Sequence, residues 1–117
     1  MGLPTNDWTG KITGSAYCDA ASAVTPPANK VIVAIYFIQA NILTALVAED
    51  QGMFFNTVHA ANADDTATVG GRIVEEGTGG LALSGANFIA GTTIYGRWTS
   101  VTPTADADGG IICYFGE

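Results

Sequence analysis

A chain of 117 residues and 12.0 kDa has room for a single core, since folding reduces an unfolded surface of about 17,000 Å² to roughly 6,000 Å² at this size. Hydrophobic residues make up 48% and charged residues only 13%, against about 25% charged in soluble domains, so Gly, Ala, Thr and Asn dominate the surface and a homo-oligomer or larger assembly is expected. Eleven acidic residues against Lys11, Lys30, Arg72 and Arg97 give a net charge of −7, which excludes a phosphate-tracking nucleic-acid surface and disfavours an anionic membrane.

Residues 1–10 hold neither a basic n-region nor an apolar h-region, so synthesis and retention in a cytoplasm are expected. Gly2 follows Met1, but Asn6 stands where a myristoylation signal carries Ser or Thr. Leu3, Pro4 and Trp8 lie outside any predicted strand, set off by Gly10. They make residues 1–10 an N-terminal arm able to anchor on a neighbouring protein, ahead of one β-domain over residues 11–117.

A first strand is predicted over residues 11–19, weakened by Gly14, and Pro26-Pro27 then forbid ladder pairing. The continuously apolar run over residues 31–38 reads as a central strand covered on both faces. Residues 39–41 offer a tight connection to a second strand over residues 42–49, and the pair reads as a hairpin that turns again at residues 49–52. The apolar stretch 31–48 approaches the length of a membrane span. Gln39 and Asn41 at its middle, among β-branched and aromatic residues, favour two strands.

A further strand is predicted over residues 53–58, followed by a polar loop or single helical turn over 59–65. Residues 67–75 read as a strand bent or bulged at Gly70-Gly71. Short strands are predicted over 81–83 and 87–89 after the turn at Gly77, Gly79 and Gly80. The chain closes with two apolar-aromatic segments, residues 91–102 and 108–116, joined as a hairpin by a Pro/Asp/Gly turn. About eight short strands with regular turn signals predict an all-β fold, a single-domain antiparallel β-sandwich or jelly-roll-like barrel.

Motifs for chemistry are weak. Asp106-Ala-Asp108-Gly109-Gly110 resembles the start of a calcium loop but lacks the third ligand position and the distal Glu, so it reads as a turn. Asn62, Asp64 and Asp65 read as a solvated loop or helix cap. Ser84, His59 and Asp64 could be written as a triad, yet nothing supplies a nucleophile elbow or oxyanion hole. Glu75 and Glu76 are adjacent and point to opposite sides of a strand, so they cannot act as a carboxylate pair. Cys18 and Cys113 are too few for zinc, His59 has no partner at ligand spacing, and the two thiols are expected free and buried. A non-enzyme without metal or cofactor is therefore expected.

Trp8, Tyr95, Trp98, Tyr114 and Phe115 are the aromatic residues that could stack on sugar rings, although Tyr95 and Trp98 face opposite sides of a regular strand. Core and subunit interface is the favoured reading for them. Arg97 beside Trp98 is a candidate interface pair, since Arg and Trp are enriched at protein contacts.

The segments Gly91 to Thr102 and Asp108 to Gly116, together with residues 31–38 and 44–50, resemble those of small virion-associated proteins of marine tailed phages. The resemblance covers about two-thirds of the chain and carries no active-site motif. It implies an accessory structural protein, foremost a head decoration or cement protein, often trimeric, that bridges major capsid protein subunits on the virion surface after assembly in the host cytoplasm. A tail or fibre component, or a glycan-binding host-attachment module, is the alternative. Under this reading the candidate protein-interface residues are Leu3, Pro4, Trp8, Arg97 and Trp98.

Overall fold

A computed structural model describes residues 12–62, 68–69, 72–73, 77–104 and 109–117, with residues 68, 69, 72 and 73 described by their main chain alone. The fold is all-β, with no helix among the described residues. Among the described residues the strands are, in chain order, β1 (Ile12–Cys18), β2 (Val31–Phe37), β3 (Asn41–Ala48), β4 (Thr68–Val69), β5 (Arg72–Ile73), β6 (Asn87–Phe88), β7 (Thr93–Pro103) and β8 (Ile111–Gly116). Six form one curled antiparallel sheet in the order β1-β8-β2-β7-β3-β6, and β4 and β5 pair as a separate ribbon. The stretch weighed as a membrane span is β2 and β3, and no helix among the described residues is long and apolar enough to cross a membrane.

The apolar run of β2 takes the position its composition demands, between β8 and β7. Both predicted hairpins are overturned by that choice. β7 separates β2 from β3, and β2 separates β7 from β8. The local turns are sterically good, but the most apolar strand buries more by taking a long neighbour on each side than by folding back on the segment next in sequence.

Strand β7 folds the sheet over. Its first half, Thr93 to Trp98, pairs with β2, and its second half, Trp98 to Pro103, pairs with β3. An unbent strand would hold the ends of β7 about 33 Å apart, whereas the link from Phe37 to Asn41 spans at most about 14 Å. β7 must therefore bend. The register shifts between Ile32 and Ala34 and between Val47 and Ala48 fall on either side of Trp98, as expected of a strand that turns a corner through bulges.

Inside the fold lie Ile32, Ile35, Phe37, Leu43, Leu46, Ala48, Trp98, Val101, Ile111, Cys113 and Phe115. Loops close over them with Val24, Phe54, Phe55 and Leu83, and the short β6 adds Phe88. Val24 exchanges main-chain hydrogen bonds with Val101, extending the sheet beside β7 beyond the start of β2. Phe37 stacks on Phe88 with ring centroids 4.8 Å apart.

Residues 53–58 form turns and bends instead of the predicted strand. The cause is Asn56, fully buried, whose amide donates to the carbonyls of Gln51 and Phe54 and whose Oδ1 accepts from the amides of Val58 and His59. One side chain thus supplies the local bonds that a ladder would otherwise provide. The predicted strand over 81–83 is also absent; Leu81 is 84% exposed, and Leu83 makes a single main-chain bond to Asn56. The predicted strand over 67–75 is two strands, paired through Thr68 with Ile73 and Val69 with Arg72.

Candidate functional site

Alternation along the strands and the register between them decide what each face of the sheet carries. Ala16, Cys18, Ile35, Phe37, Ile94, Ile111, Cys113 and Phe115 point into the core. On the opposite face two cross-strand rows can be read. One runs Tyr17, Ile112, Tyr36, Thr93, and the other runs Ser15, Tyr114, Ala34, Tyr95. All four tyrosines of the chain are in these rows, one on each of the neighbouring strands β1, β8, β2 and β7. They alternate between the rows, which makes a zigzag.

Tyr17 and Tyr95 are 58% and 60% exposed, and Tyr36 and Tyr114 are half-buried. None of the eight row positions is charged, in a chain of net charge −7. The hydroxyl of Tyr17 donates to the carbonyl of Gly109 at 2.7 Å and lies 3.3 Å from Asp19 Oδ2. Gly110 allows this approach: at φ 130 a Cβ there would lie 2.4 Å from the carbonyl oxygen of Cys18, so only glycine brings the end of β8 against the end of β1.

The ionic groups gather at the other end of the same strands. Arg97 grips Glu49 with both arms, Nε to Oε1 at 2.6 Å and Nη2 to Oε2 at 3.4 Å, and Nη1 donates to the main-chain oxygen of Glu117 at 3.0 Å. The Glu49 hydrogen bond raises the already high Arg97 pKa. Lys30 pairs with the Glu117 side chain and holds that carboxyl below its usual range. Ile12, where the first eleven residues join β1, pairs with Gly116 at this corner.

The sequence-derived candidates separate. Leu3, Pro4 and Trp8 lie outside the described residues. Arg97 is at the charged corner, where its ion pair is made within the chain. Trp98, expected at a contact surface, is instead fully buried in the chain's own core and donates from Nε1 to the carbonyl of Phe55 at 2.9 Å. Phe115 also faces the core. Of the aromatic platform read from the sequence, Tyr95 and Tyr114 therefore share the outer face. Tyr17 and Tyr36 were missed because their partnership depends on cross-strand register, for which the only sequence signal is that each sits at an outward position of its strand.

Cys18 and Cys113 are free thiols, on neighbouring strands but diagonal to one another, since Cys113 pairs with Ala16 and Cys18 with Ile111. Diagonal strand neighbours stand about 7–8 Å apart, too far for a disulfide without main-chain movement. Asn62, read as part of an acidic cluster, donates to the carbonyls of Thr78 and Gly79 and ties two loops together. Asp64, Asp65, Asp106 and Asp108 lie outside the described residues. Among the described residues no group of three His, Cys, Asp or Glu is placed to hold a metal.

No protein-family model, curated protein or solved structure matches the chain.

Proposed function

We propose that the chain is a non-enzymatic structural protein of a virion surface, a decoration or cement protein that binds the outside of a head and bridges major capsid subunits as a homo-oligomer, foremost a trimer. The observation that carries this reading is the division of its surface. The ionic groups Lys30, Glu49, Arg97 and Glu117 are gathered at the end of the sheet where β1 begins, and the rest of the outer layer is aromatic, with the Asp19 carboxylate at its far rim. If Leu3, Pro4 and Trp8 serve as the anchor, they would add apolar area to a polar rim, the composition of protein interfaces. Repetition at symmetry-related sites then multiplies a modest affinity. A curled antiparallel sheet of six strands is compatible with the sandwich or jelly-roll-like barrel expected of such proteins.

Electron cryomicroscopy of undecorated heads mixed with the protein tests this reading. Regular density at capsomer junctions, reduced by Trp8→Ala or Leu3→Asp, is expected. Absence from the shell overturns it, and density confined to a tail or fibre tip transfers the chain to the attachment alternative, which the tyrosine face favours.

A further inference from the structure

We propose that the tyrosine face is a binding site for a single extended chain of neutral β-1,4-linked sugars. Three observations select this ligand. The first is charge. The eight positions of the two rows, Ser15, Tyr17, Ala34, Tyr36, Thr93, Tyr95, Ile112 and Tyr114, carry none, while the chain as a whole carries −7. An acidic glycan is repelled by that field, and a basic peptide finds no carboxylate in the rows and a single one, Asp19, at their described rim. A neutral polyhydroxylated ligand meets neither difficulty. At the rim, Asp19 Oδ2 and the carbonyl of Gly109, both within reach of the Tyr17 hydroxyl, are acceptors suited to sugar hydroxyls.

The second observation is area. Four strands about 4.8 Å apart and some six residues long present roughly 400 Å², half of the roughly 800 Å² that each partner contributes to a standard protein interface. A second copy of the chain laid on this face would have too little to hold it, and would bring a second charge of −7. A glycan one sugar wide needs no more than this.

The third is spacing. Within each row the rings occur two strands apart, Tyr17 with Tyr36 and Tyr114 with Tyr95, so about 9.6 Å separates their attachment points. That matches the distance after which an extended β-1,4-linked chain presents the same sugar face again. Strand twist of about 20–25° per step turns each ring relative to the last. The face is therefore suited to a single twisted chain and unsuited to a flat crystalline sheet of polysaccharide.

This site includes none of the ionic residues of the corner assigned to shell docking, so its failure leaves the head-binding test untouched. The experiment is titration of the full chain with cellohexaose and with xylohexaose, followed by amide chemical shifts and by calorimetry. Shifts centred on the two rows are expected, with maltohexaose, whose α-linkage coils the chain, binding more weakly. Tyr95→Ala weakens binding about 2- to 12-fold, the range for loss of one aromatic stacking contact, and Tyr95→Phe retains it. The proposal is overturned if neither β-linked hexasaccharide shifts these amides at millimolar concentration, or if the shifts map elsewhere. Affinity indifferent to Tyr95→Ala also overturns it. Sedimentation showing a dimer that Tyr95→Ala dissolves would assign the face to a second copy and likewise overturn it.

Discussion

Trp98 sits where β7 changes partners, and its environment shows how closely one residue can be specified. The indole lies over Gly96, where an added Cβ would stand 2.7 Å from the ring, and tilts against Phe55 at 5.4 Å between centroids. Trp98→Ala is expected to cost about 3–5 kcal/mol, the range for a large buried aromatic, and leaves the Phe55 carbonyl without its donor. Gly96→Ala is expected to cost about 1–3 kcal/mol through overpacking. Urea denaturation measures both.

Burial pushes the Cys113 thiol up to about 12, the neighbouring Cys18 adding a smaller contribution. Because the folded value exceeds the unfolded one, the stability this thiol contributes is intact below about pH 8.5. It is lost as the pH rises from there toward 12, by up to about 1.4 kcal/mol per pH unit. Comparing denaturation at pH 8 and pH 10 should show a smaller loss in Cys113→Ala than in the parent. The sign is opposite for Glu117, whose lowered pKa comes first from its hydrogen bond to Lys30. The contribution of that pair is present above about pH 4.3, the ordinary carboxyl value, and disappears as the pH falls through the folded value. In Lys30→Gln, a Glu117 titration followed by NMR should return to the ordinary range.

At the scale of elements, the sequence identified most of the sheet's strands and misassigned their neighbours. β1, β2, β3, β7 and β8 fall within three residues of the apolar and β-branched runs that announce them, because those runs satisfy a local rule. Which strand lies beside which is a non-local question, and turn residues such as Gln39-Ala40 or Asp108-Gly109 are compatible with a hairpin and with a crossover alike. The strand expected over 53–58 failed for a local reason that composition hides, a buried Asn56 whose four bonds hold the loop. Asn56→Asp replaces two buried donors with acceptors and should destabilise by about 1–3 kcal/mol or more. The site was legible only by half: Tyr95 and Tyr114 could be paired with aromatic function from sequence, while Tyr17 and Tyr36 join them only through register. Hydrogen exchange should find the amides of the central β2 slowest and those of the two-residue β6 among the fastest.

For the whole molecule, the pairing of β1 with β8 joins residues some hundred positions apart, Ile12 to Gly116 at one end and Cys18 to Ile111 at the other. The sheet cannot be completed until the chain has brought its extremes together. Folding in milliseconds to seconds, the regime of proteins dominated by distant strand pairings, is the expected result of stopped-flow refolding.

That same pairing fixes how the protein responds to mechanical force. Ile12 and Gly116 leave from one corner of an antiparallel pair, so tension applied between them peels β1 from β8 one hydrogen bond at a time instead of shearing the ladder all at once. Pulled along that axis the molecule is a zipper, and a tether at Glu117 loads its bonds to Arg97 and Lys30 before it reaches the seam.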